Sequence, residues 1–153
     1  MHDAQLSSGL TPRLVDSLYV EAMVLADEAR SYFDCGGREE RDALDPMLRV
    51  GFSCESLKVT TRLMHVIAWL LTQRAIEAGE LSRAQARRPA RRLGEAPESD
   101  LDLLPALPPG ARALIEQSRD LHARVARIEA NALAGDPAPS PARSLLGRLE
   151  RSL

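Results

Sequence analysis

Between residues 47 and 75 apolar side chains fall on two faces of one predicted helix. Met47, Val50, Cys54, Leu57, Thr61, Met64, Ala68, Leu71 and Ala75 alternate in steps of three and four, a heptad series. A second stripe runs through Val59, Leu63, Ile67 and Leu70. A helix lying on a single core needs one apolar stripe. Two stripes predict a central element covered on one side by its own chain and on the other by a second copy.

The flanking segments carry single stripes. Thr11 is placed to cap a helix whose first residue is Pro12. Val15, Leu18, Ala22, Leu25, Ala29 and Tyr32 then repeat at helical spacing, predicting a first helix over about residues 12–34. The pair Gly36 and Gly37 is expected to end it in the left-handed conformation that glycine accepts. Asp45 and Pro46 read as the cap and first turn of the central helix, over about residues 46–79. Gly51 inside it is expected to admit a neighbouring helix. Ser82 caps a short basic helix. Residues 80–109 form a proline-rich connector that Leu101, Leu103, Leu104 and Leu107 pin to the surface. Ala111, Leu114, Ser118, Leu121, Val125, Ile128 and Ala132 predict a third helix over about residues 110–134, with Asp120 and Arg124 paired four apart on its wet face. Residues 1–10 read as a disordered leader. Residues 136–153 read as a flexible tail that opens with the linker DPAPSP. The expected fold is all-α: one domain over residues 11–135, an antiparallel three-helix bundle with a long central helix, dimerising, with a flexible C-terminal tail.

Composition supports helices and removes some functions. Aromatics are 3% of 153 residues, so Leu, Ala, Val, Ile and Met must build the core. The formal net charge of -2 supplies no basic field for non-specific nucleic-acid binding. Lys58 is the sole lysine, and a GC-rich genome accounts for the arginine excess. No cleavable signal peptide opens the chain, and the longest apolar run, residues 66–71, is far short of a membrane span of about 20 residues. Cys35 and Cys54 have no ligand partners at metal spacing. A cytoplasmic protein with reduced thiols follows, with no membrane and no cofactor expected.

Catalytic constellations are absent from the sequence. His2, His65 and His122 have no HExxH or Glu-x-x-His context, so a di-iron bundle site lacks its ligands. His65 reads as a packed or half-exposed histidine. Cys54 falls on the heptad face as a small apolar residue, and Cys35 sits beside the glycine turn. The Gly36-Gly37-Arg38 turn follows a helix and lacks the features of a phosphate loop. Partner or dimer contact is expected from the strip Glu55, Lys58 and Arg62, from Thr60 and Thr61, and from Leu63, Ile67 and Leu70. Mid-helix threonines are not chosen for helix propensity and bond back to helix carbonyls. In the tail, Leu145, Leu146 and Leu149 are flanked by Arg143, Arg148 and Arg151, the pattern of a segment that docks as a helix in a groove. The alternative is a nucleic-acid-associated regulator using Arg83, Arg87, Arg88, Arg91 and Arg92. That segment carries no aromatic for base stacking.

The stretch SLYVEAMVLADEARSYFDCGGRE (residues 17–39), followed by ESLKVTTRLMHVIAWLLTQRAIEAGELS (residues 55–82), resembles the alphaproteobacterial family of the regulator of CtrA degradation, long catalogued as a domain of unknown function. The similarity covers about residues 12–93. Glu55, Thr60, Thr61, Arg62, Leu63, Met64, Trp69, Leu70 and Leu71 match the family's central-helix pattern. The resemblance implies a dimeric, non-enzymatic adaptor. It implies as partners the ClpXP protease, a receiver-domain protein that primes it, and protein cargo such as cell-cycle regulators.

Overall fold

The structure, a computed structural model, describes residues 10–135 together with Arg148, Leu149 and Ser152; every described element is helical. Three long helices share one core: α1 (Pro12–Ser31), α3 (Pro46–Glu77) and α5 (Pro109–Gly135). Two short ones, α2 (Arg38–Asp42) and α4 (Arg83–Ala86), lie between them. Helix α3 packs extensively on both α1 and α5, which touch each other less.

Local chemistry sets the ends. Thr11 Oγ1 accepts from the Leu14 amide at 3.1 Å, and Pro12 fits the first turn, where its missing N–H costs nothing. Ser82 and Gln85 form a reciprocal capping box at α4. Asp45 makes no side-chain cap bond, so the start of α3 rests on Pro46 and the Asp45 carbonyl. The glycine pair also departs from expectation. Helix α1 passes into a π-helical turn, Tyr32–Gly36, and the Gly37 amide donates to the Tyr32 carbonyl at 2.7 Å. Gly37 has φ −94°; the left-handed glycine among the described residues is Gly79, at φ 74° past the end of α3. The wider turn brings Tyr32 and Phe33 against Phe52, with the Phe33–Phe52 ring centroids 5.3 Å apart, edge to face.

Val15, Leu18, Ala22, Leu25 and Ala29 of α1 are buried, as are Ala111, Leu114, Ser118, Leu121 and Val125 of α5, each set in the expected three-four steps. Helix α3 buries Phe52, Val59, Leu63, Val66, Trp69 and Leu70. Its second stripe therefore faces its own chain, with Ile67 half-buried at the edge. Leu10 packs against this core, so the expected leader reaches the fold at its last residue; residues 1–9 lie outside the described residues.

The connector is an ordered strap. Leu104 and Leu107 enter the core and Leu103 lies half-buried, while Leu101 stays exposed. Gly51 receives Leu103 of the strap: a Cβ there would lie 2.3 Å from Leu103 Cδ2. The close neighbour of Gly51 is thus a connector side chain, where a helix was expected.

Leu70 is fully buried where α3 meets its neighbours. Leu70→Ala is expected to lower unfolding free energy by about 2–5 kcal/mol, read from urea denaturation followed by circular dichroism.

Candidate functional site: a buried polar clamp and an uncovered helix face

Arg62 and Glu55 lie on the inner side of α3, each 1% exposed. Arg62 Nη1 donates to Ser118 Oγ of α5 at 3.2 Å. Its Nη2 donates to the Pro97 carbonyl at 2.8 Å and to Ser99 Oγ at 2.6 Å, both in the strap. One planar guanidinium thus ties α3, α5 and the strap together, which the rigid donor fork of arginine allows. Burial pulls the Arg62 pKa below its ordinary value; Glu55 opposes that shift and Arg119 reinforces it. Glu55 takes Lys58 Nζ at 2.8 Å from Oε2. The sole lysine therefore sits beside the buried carboxylate.

Further polar contacts hold the strap along its length. His65 Nδ1 and the Glu95 carbonyl are 2.9 Å apart, and His122 Nε2 and the Gly94 carbonyl 2.8 Å. A carbonyl only accepts, so each of these ring nitrogens carries the proton. Gly94 lies flat on His65: a Cβ there would meet Nδ1 at 2.5 Å. Glu129 Oε2 accepts from the Leu93 amide at 2.9 Å, and its Oε1 lies 3.3 Å from Arg92 Nη2. His65 and His122 are therefore strap anchors, and no group of three His, Cys, Asp or Glu that could hold a metal occurs among the described residues.

These placements divide the expected contact residues. Glu55, Arg62, Leu63 and Leu70 are buried within the chain and present nothing to a partner in this fold. Lys58 and Ile67 are half-buried. Thr60 is exposed and Thr61 half-buried, and their hydroxyls donate back to the Ser56 and Leu57 carbonyls at 3.1 and 2.9 Å. Leu145 and Leu146 lie outside the described residues; Leu149 is exposed. The basic segment breaks into α4 and one turn of 3-10 helix at Pro89–Arg91, with Arg92 taken by Glu129. Nothing in that arrangement supports the nucleic-acid alternative.

Opposite the clamp, α3 leaves a continuous apolar face uncovered. Met47, Val50, Leu57, Met64 and Leu71 are between 46% and 80% exposed, and Cys54 and Ala68 are exposed among them. Four of them, residues 50, 57, 64 and 71, stand seven apart, so they form one slowly winding stripe. Sequence reasoning found this stripe; of the expected contact residues Thr61 belongs to it and Thr60 is exposed, whereas Glu55, Arg62, Leu63 and Leu70 fall on the inner face. No helix among the described residues is long and apolar enough to cross a membrane.

A family profile described as "Protein of unknown function (DUF1465)" matches residues 6–153. Among solved structures, RcdA from Caulobacter crescentus CB15 matches at 32% identity and a TM-score of 0.64, over 80% of this chain and 93% of that one. No curated protein matches the chain.

Replacing Arg62 with Ala leaves three acceptors without their donor, the Ser118 and Ser99 hydroxyls and the Pro97 carbonyl, and removes the charge that Glu55 faces. The expected loss is about 3 kcal/mol of stability, with faster amide exchange across residues 93–99. Arg62→Lys, which keeps the charge but loses the fork, is expected to fall between the two in both readouts.

Proposed function

The chain belongs to the regulator of CtrA degradation family, and on that footing we propose that it is a cytoplasmic, non-enzymatic adaptor that tethers cargo to the ClpXP protease in the alphaproteobacterial cell cycle. The observation that carries this reading is the uncovered heptad stripe on α3. Contiguous apolar surface of this kind marks a protein interface. The stripe suits an antiparallel three-helix bundle that dimerises through its central helices, a second copy matching a self-complementary seam. Thr60 and Thr61 lie beside it with hydroxyls already bonded, so they contribute shape and methyl surface to the contact. Glu55 and Arg62 contribute by holding the frame rigid. The basic leucine tail, with Leu145, Leu146 and Leu149, supplies a second contact for the protease or for its receiver-domain priming protein.

The supporting chemistry is one of surfaces. The side chains on the outer stripe have no part in the chain's own core, so they are free for a partner. Leu57→Asp and Met64→Asp are therefore expected to leave the helical spectrum and unfolding midpoint nearly unchanged while reducing a dimer mass to a monomer mass in light scattering. Leu63→Asp, by contrast, buries a charge and is expected to unfold the chain. A monomer mass for the unaltered protein at micromolar concentration overturns the seam.

The adaptor role is tested by retention of purified ClpX and the receiver-domain protein on the immobilised chain, with and without residues 136–153. Retention by the full chain and loss on truncation is the expected outcome. Absence of retention by either form overturns it.

A further inference from the structure

The chain already fills one groove between its long helices with its own leucine-rich segment: the strap lies on α3 and α5 through Arg62, His65, Ser118, His122 and Glu129. A second groove, between α1 and α3, is bridged by Arg74, which pairs with Asp16 at 3.0 Å and lies 4.0 Å above the Tyr19 ring. The third, between α1 and α5, is crossed by the Arg124–Glu21 pair and holds a shallow cleft beside it. Its floor is Val24 and Leu25, with Val24 half uncovered, and its walls carry Glu21, Glu28 and Asp120. Arg124 is its one cation, bonded to Glu21 across the groove and 3.0 Å from Asp120 on its own helix. Three acids against one base leave the lining two charges negative.

We propose that this groove is the docking site of the chain's own residues 142–153, ARSLLGRLERSL, bound as a short amphipathic helix. Its side chains carry three arginines and one glutamate, two charges positive, the complement of the groove. Leu145, Leu146 and Leu149 recur at helical spacing and form a stripe for Val24 and Leu25. Leu149, one of the described tail residues, is 58% exposed, a large apolar side chain without cover. Reach favours docking within the chain. Helix α5 ends at Gly135, so Arg124 and Asp120 lie about 16 and 22 Å back along its axis at about 1.5 Å per residue. Residues 136–141 span up to about 20 Å when extended, and a helix over residues 142–153 adds about 18 Å, so a reversal at the proline linker lays the segment along the groove. Alone, so short a helix is not stable in water, and the groove supplies what it lacks. Groove and occupant belong to one chain, so the proposal is independent of the adaptor reading; where both hold, the segment leaves the groove before Leu145, Leu146 and Leu149 meet the protease.

Hydrogen exchange on the full-length protein tests it, with the free peptide of residues 142–153 as the unprotected reference. Amides of residues 145–152 are expected to exchange at least about tenfold more slowly in the protein than in the peptide, independently of protein concentration. The protection is expected to fall as salt rises from about 0.05 M to about 0.5 M. Glu28→Arg in the groove and Leu149→Asp in the tail are each expected to abolish it while exchange in α1, α3 and α5 stays unchanged. Exchange at the peptide rate overturns the proposal. So does protection that grows with protein concentration, which makes the occupant a second copy, or protection that survives both variants, which places the tail elsewhere.

Discussion

The fold hangs on one buried guanidinium. Arg62 is the largest fully buried side chain among the described residues, and its hydrogen-bond acceptors come from α5 and from the strap. Removing such a group from water is costly, and the cost is offset only where every acceptor is in place. Helix α5 must therefore sit where Ser118 meets Nη1, and the strap where the Pro97 carbonyl and Ser99 meet Nη2. Glu55 and Lys58 complete the arrangement, because the carboxylate steadies the guanidinium and the lysine keeps that carboxylate from standing alone. Two histidines and Glu129 then extend the attachment from residue 93 to residue 95. A connector with few backbone bonds of its own becomes a fixed part of the core.

Much of this was legible in the sequence, and the exceptions have one cause. The three-four steps of α1 and α5 named most of their buried residues, missing Ile115 and including the half-buried Tyr32, Ile128 and Ala132, and the doubled stripe of α3 announced an inner and an outer face. Local periodicity assigns charged positions to water, however, and so it turned Glu55 and Arg62 outward. The acceptors that offset the burial of Arg62 lie 35 to 56 residues further on, where no local pattern reports them. Gly51 failed for the same reason: its neighbour is Leu103, 52 positions away, so the spacing showed that something came close without showing what. At Gly36 and Gly37 a local rule met a local competitor. The Gly37 amide found the Tyr32 carbonyl, and the wider turn let Tyr32 and Phe33 join Phe52 in a chain poor in aromatics.

The outer apolar face was legible for the opposite reason: it is a property of one helix alone. A strict seven-residue repeat drifts slowly around a straight helix, so an apolar stripe that keeps the repeat tends to be matched by another helix winding with it. The inner side chains of α3 keep the step as well, at 52, 59 and 66 and at 55, 62 and 69, so the helix carries the repeat on both sides. Burial therefore separates the two faces: the inner set is covered by the chain's own core and the outer set is exposed.

That division has a consequence for how such a protein can change. Substitutions on the outer stripe meet no side chain of the core, so their effects on binding and on stability are separable, as expected for sites without shared partners. Substitutions at Arg62, Gly51 or Gly94 act in the reverse sense, because each displaces the strap and hence the frame on which the stripe is displayed. A partner that docks on α3 meets a surface whose orientation is fixed from behind by buried polar bonds and whose composition is free to vary in front. One helix thereby combines a rigid inner face with an adjustable outer one, the combination that the proposed adaptor role calls for.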